Sequence, residues 1–167
     1  MKEEIVNRVA NSALMTFDLE DHFPEGQRAE IDLSQWLHAG LILREKEFRA
    51  ALKSIDWSIY KDQYIALYCS TDAIIPAWGY TLVCSSLLPF AKKVVLGCEE
   101  DLNSSLYQDI LNALDYSAYQ DKAVILKGCS EKAVPLAAYL MAMEKLQAVA
   151  KKVMYGESCS AVPLFKR

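Results

Sequence analysis

The chain has 167 residues, 53% hydrophobic and 24% charged, with a net charge of −4 at pH 7. That is enough for one domain to bury a core without disulfides or structural metal, and too apolar for a disordered chain. The acidic balance argues against a general nucleic-acid binder, which carries a basic face.

Met1-Lys2-Glu3-Glu4 places acids where a secretory signal carries positive charge, and no apolar core follows. Five cysteines are an odd number. A reducing cytoplasm is therefore expected, with the thiols free or ligated rather than paired. Ile5 to Leu14 fits a short amphipathic helix, Phe23-Pro24-Glu25-Gly26 a turn, and Ala29 to Leu33 a strand. Leu41 to Ile55 is predicted helical, with Glu45 and Arg49 at i,i+4 spacing on its exposed side. Residues 1–60 remain the least defined part of the chain.

From Lys61 onward one theme recurs: an apolar strand, a polar turn with a cysteine, then a helical stretch. Tyr64-Ile65-Ala66-Leu67-Tyr68 leads into Cys69-Ser70-Thr71-Asp72 and an apolar helix to about Phe90. That apolar stretch, Ala73 to Ala91, is broken by Pro76, Gly79, two serines and Pro89, so a membrane span is not expected. Lys93-Val94-Val95-Leu96-Gly97 leads into Cys98-Glu99-Glu100-Asp101, after which Leu106, Ile110, Leu111 and Leu114 share a helical face. Ala123-Val124-Ile125-Leu126 leads into Lys127-Gly128-Cys129-Ser130 and a helix over Ala137 to Ala150. Val153-Met154-Tyr155 leads into Gly156-Glu157-Ser158-Cys159-Ser160. This alternation predicts an α/β fold: a single domain over 1–167 with a mainly parallel sheet built from βα units, helices on both faces.

The thiols carry the chemical signal. Cys69, Cys98, Cys129 and Cys159 are spaced by 29, 31 and 30 residues, and each follows a strand by one to four. In one parallel sheet they share the carboxyl edge, where ligands bind and helix N-termini favour thiolate. Cys69-Ser70, Cys129-Ser130 and Cys159-Ser160 are each followed by a proline, at Pro76, Pro135 and Pro163. Cys98 precedes three acids that disfavour a thiolate, and Cys84 lies in a helix as a small core residue. The expected metal ligands are Cys69, Cys129 and Cys159, with Glu157, Asp72 or water in a fourth position. Both carboxylates also fit helix caps, the preferred role for Asp72. Zinc or iron, including an iron–sulfur cluster, suits such thiolates better than magnesium or calcium.

Other residues have plainer roles. His22 and His38 are expected on the surface or in the core, and Trp78, Tyr80 and Tyr139 in the core. Asp18-Leu19-Glu20-Asp21 lacks the spaced oxygens of a calcium loop and fits a solvated turn. No CxxC, H-E-x-x-H, G-x-G-x-x-G or Walker loop occurs.

The chain resembles an uncharacterised Bacteroidetes family, domain of unknown function 2480. The resemblance is carried by Phe17-Asp18-Leu19-Glu20-Asp21, Gly40 to Lys46, Asp56-Trp57-Ser58, Cys69 to Pro76, Lys127-Gly128-Cys129 and Tyr155 to Leu164. It groups Cys69, Cys129 and Cys159, leaves Cys98 out, and implies a link to iron–sulfur assembly proteins as partners. Three functions compete: a metal-binding protein, a thiol enzyme or sulfur carrier with Cys69 or Cys159 as nucleophile, and a scaffold with buried cysteines. Metal binding ranks first, with no nucleic-acid or membrane partner.

Overall fold

A computed structural model describes residues 14–128, 131–157 and 160–167. In chain order it contains β1 (Leu14–Asp18), β2 (Arg28–Asp32), α1 (Glu45–Lys53), β3 (Tyr64–Tyr68), α2 (Ala77–Leu87) and β4 (Lys93–Leu96). Then follow α3 (Glu99–Ala113), β5 (Ala123–Lys127), α4 (Leu136–Val149), β6 (Lys152–Tyr155) and β7 (Val162–Lys166). No helix among the described residues is long and apolar enough to cross a membrane.

The fold is α/β, with parallel pairing as expected, but the strands are divided between two sheets rather than one. The contacts divide accordingly into two compact units. One is Glu25–Ser105; the other takes the described residues of Met1–Pro24 and those of Leu106–Arg167. The reason lies in the N-terminal strands. β2 pairs with β3 and β1 with β5, so each sheet receives its own first strand from the least patterned part of the chain.

In the unit Glu25–Ser105 the sheet runs β2-β3-β4, all parallel. Ile65 and Leu67 of β3 are buried with Phe48 and Leu52 of α1 and with Val83 and Leu87 of α2. The i,i+4 spacing of Phe48 and Leu52 turns one face of α1 inward, while Arg49 donates to Glu45 at 2.8 Å on the outside. α1 is shorter than Leu41 to Ile55 because His38 and Ile42 form a β-bridge, holding that segment out of the helix. Gly79 lets α2 approach Leu43, whose side chain occupies the place of a Cβ.

In the other unit the sheet runs β1-β5-β6-β7, with only β7 antiparallel. Its core joins Phe17, Leu19, Tyr107, Leu111, Val124 and Leu126 with Ala138, Ala142 and Leu146, the inner stripe of α4. The small residues on that stripe bring the helix close to the sheet. Residues 5–13 of the expected N-terminal helix lie outside the described residues, and Leu14 opens β1.

From α1 onward the two units are copies of one design, offset by 59 residues. Phe48 matches Tyr107, Leu52 matches Leu111, Trp57 matches Tyr116, Leu67 matches Leu126, and Leu87 matches Leu146, each at an equivalent buried or half-buried position. Trp57 Nε1 donates to Leu52 O at 3.0 Å, and Tyr116 Oη donates to Leu111 O at 2.9 Å. Asp62 N donates to Phe90 O and Asp121 N to Val149 O, both at 3.0 Å. Both aspartates hold positive φ, at 60° and 56°, a conformation that aspartate tolerates better than most side chains. Pro76 and Pro135 are the N-caps of α2 and α4. The third Cys-Ser…Pro sequence differs, because Pro163 lies within β7 rather than before a helix. Tyr80 and Tyr139 pack against the two cores as expected; Trp78 keeps 37% of its surface exposed while meeting Phe48 edge-on.

Candidate functional site

Parallel strands end together, so each sheet has one carboxyl edge where the turns carrying polar residues converge. In the unit Glu25–Ser105 that edge is organised by Asp32, the last residue of β2. Its Oδ1 accepts from Ser34 N at 2.8 Å and from Ser70 N at 3.1 Å, and Ser70 Oγ donates to Ser34 Oγ at 3.1 Å. Burial opposes the charge on Asp32, but the hydrogen bonds from Ser70 and Ser34 outweigh it and hold the pKa at about 2.

Cys69 follows β3 at this edge, half-buried, with its Sγ 3.3 Å from Thr71 Oγ1. Burial, reinforced by the nearby Cys69 and the Asp32 carboxylate, pushes the Tyr80 hydroxyl up. Asp72 does not cap α2: the N-cap is Pro76, without a side-chain cap bond. Asp72 instead lines a surface hollow with Leu41, Ile42, Leu43, Ala73, Ile74 and Pro76. Cys98 is engaged locally. Both its N–H (2.8 Å) and its Sγ (3.2 Å) donate to Asp101 Oδ2, and these bonds lower the Asp101 pKa. Gly97 permits this turn, since its φ of 126° and the Asp101 carboxylate against its Cα exclude a side chain.

At the carboxyl edge of the other sheet, charge replaces hydroxyl groups. Asp18 ends β1, Lys127 ends β5, and Glu157 stands two residues beyond β6. Lys127 Nζ lies 3.0 Å from Asp18 Oδ2 and 3.9 Å from Glu157 Oε1. The Asp18 and Lys127 side chains are only 15% and 27% exposed. The segment Asp18-Leu19-Glu20-Asp21, expected as a solvated turn, is thus a structural part of the edge. Asp18 Oδ1 accepts from Glu20 N at 3.0 Å to open a single 3-10 turn, and Leu19 is fully buried.

The turns after β5 and β6 are tied on both sides of their cysteines. Before Cys129, the Gly128 carbonyl accepts from Tyr139 Oη at 3.1 Å; after it, Glu131 N and Lys132 N donate to Glu20 Oε1 at 3.2 and 3.3 Å. Before Cys159, Gly156 N donates to Leu126 O at 3.1 Å; beyond it, Ser160 N donates to Glu157 O at 3.0 Å. Glu157 follows a strand and faces Lys127, so it caps no helix. Cys129 and Cys159 themselves lie outside the described residues.

Of the expected ligand set, Cys69 and Asp72 belong to the unit Glu25–Ser105, and Glu157 to the other. Among the described residues, no three His, Cys, Asp or Glu side chains are grouped to hold a metal. His22 packs against Phe17, and His38 lies 3.9 Å from Glu47. Sequence reasoning missed Asp18, Glu20, Lys127 and Tyr139 as edge residues. The 59-residue offset places Tyr139 with Tyr80 and Lys127 with Tyr68, while Asp18 is matched to Asp32 only by the Asp-Leu pair that closes each first strand, 14 residues apart.

A family model described as "Protein of unknown function (DUF2480)" matches residues 3–167. No curated protein and no solved structure matches the chain.

Proposed function

The chain belongs to this DUF2480 family, and we propose that it binds a thiophilic metal, zinc or iron, through Cys129 and Cys159 at the carboxyl edge of β5 and β6. One observation carries the proposal. β5 and β6 are adjacent parallel strands in register up to Leu126 and Tyr155, with chains about 4.8 Å apart, and both cysteines follow within four residues of those ends. Hydrogen bonds hold the flanking residues Gly128, Glu131, Gly156 and Ser160, so less entropy is lost there on ligation. The donor chemistry fits: two thiolates are soft ligands, and Glu157 or water supplies a further position. Lys127 adds positive charge at the same edge, offsetting the negative charge of the thiolates.

Thiolate ligation requires a reducing compartment, the cytoplasm in this proposal. If the metal is iron, iron–sulfur assembly proteins are the partner class that the family resemblance implies.

Anaerobic purification followed by elemental analysis and a visible absorption spectrum tests this. About one equivalent of zinc or iron is expected, lost in both Cys129→Ser and Cys159→Ser, and bound more weakly at low pH as the thiols protonate. Cys69→Ser reports separately whether that thiol joins the set. Protein without stoichiometric metal that also takes up none on titration would rule the proposal out.

A further inference from the structure

We propose that the face formed by the first two turns of α4 with β6 and β7 is the contact surface of a homodimer. Leu136 and Leu140 on α4 are 78% and 75% exposed, and Tyr155, Val162 and Leu164 of the neighbouring strands 43%, 57% and 47%. All five belong to one unit, and Leu136, Leu140, Tyr155 and Leu164 border a single hollow of about 570 Å³ whose lining carries no charged side chain. α4 is therefore apolar on two sides. Ala138, Ala142 and Leu146 face the core while Leu136 and Leu140 face outward, and a helix apolar on both sides normally has both covered. β7 ends its sheet and exposes Val162 and Leu164, the latter at a β-bulge between the residues paired with Val153 and Met154.

The other unit shows that the fold does not need this surface. Fifty-nine residues earlier, Ala77 stands for Leu136, Thr81 for Leu140 and Cys84 for Met143, and the corresponding hollow is about 300 Å³. The same helix packs on the same strands in both units, so the large apolar side chains on α4 serve something outside the unit's own packing.

Size and composition indicate the occupant. The five exposed side chains leave open roughly 500 Å² of apolar surface, at the upper end for a monomer. A specific interface of standard size takes about 800 Å² per partner, which at the about 65% apolar share of homodimer contacts is a similar apolar area. A surface without charges has no need of a partner of complementary charge and can match itself across a two-fold axis. Outward along α4 the stripe turns polar at Glu144 and Gln147, both exposed, as at the rim of such an interface.

Sedimentation velocity on the full chain, in reducing buffer with and without a chelator, tests the proposal. Wild type is expected to be a dimer at about 10 µM, with or without metal. Leu140→Glu should raise the dissociation constant roughly 30-fold or more, leaving the circular dichroism spectrum unchanged because the side chain is already in water. Leu88→Glu, at a 64% exposed leucine of the other unit, should dimerise like wild type. If Leu140→Glu does not fold, Leu136→Lys replaces it. A wild-type chain monomeric at about 100 µM, or a folded Leu140→Glu that dimerises undiminished, overturns the proposal, whether the surface then binds another protein or nothing.

Discussion

Asp18→Asn isolates the charge at the edge of β1, β5 and β6. Asparagine keeps the oxygen that accepts from Glu20 N, so the turn after β1 stays capped and only the attraction to Lys127 is lost. At 3.0 Å and an effective dielectric of about 20, the gross Coulomb term is roughly 5 kcal/mol. Desolvation of two side chains only 15% and 27% exposed cancels most of it. Fully exposed pairs contribute about 0–1 kcal/mol, and breaking a buried pair costs about 3–5 kcal/mol. This pair lies between, so a loss of about 1–2 kcal/mol is expected. In urea the midpoint should fall by about 0.5–1 M, with the slope unchanged. The gap should narrow as salt is added. Asp32→Asn is the internal comparison: it holds the matching place in the other sheet, where Tyr68 stands for Lys127 and no ammonium group among the described residues is paired with it. A loss under about 0.3 kcal/mol for Asp18→Asn, or one that does not shrink with salt any more than that of Asp32→Asn, would refute the assignment of the ion pair as the stabilising contact.

The same comparison variant carries a pH signature. Folding lowers the Asp32 pKa from 3.8 to about 2, so its ionised form favours the folded state; the contribution is complete above about pH 4 and lost as pH falls through 2. Because the group faces solvent, screening limits this to about 1 kcal/mol or less, and the stability gap between wild type and Asp32→Asn should close between pH 4 and 2. A gap that persists at pH 2 would contradict it. The repeated bonds to the ends of α1 and α3 give a third expectation. Trp57→Phe removes a buried side-chain bond to the Leu52 carbonyl, which keeps only weaker backbone donors, and should cost about 1–2 kcal/mol, whereas Tyr116→Phe, at a half-buried bond, should cost about 0.5–1 kcal/mol. Thermal unfolding followed by circular dichroism should rank them in that order; the reverse order would argue against equivalent roles.

Local features of the fold were legible because they depend on near neighbours in sequence. β3, β4, β5 and β6, the helices after the first three of them and the β2 segment follow from apolar periodicity and turn residues. Cys98 was set aside for its acidic neighbours, and the acid that engages it, Asp101, lies three residues away. The assignment of Asp72 as a cap failed for a related reason. Position before a helix suggests a cap, but Pro76 already fixes where α2 begins.

By itself the sequence determined the α/β class, the parallel sense of successive strands and the placing of cysteines just beyond strand ends. Only the tertiary structure decided how those ends are grouped. Leu14 pairs with Ala123 and Arg28 with Tyr64, so Cys69 follows a strand of one sheet while Cys129 and Cys159 follow strands of the other. Each pairing joins segments far apart in the chain, and apolar strands of similar pattern are interchangeable until their side chains must fill one particular core.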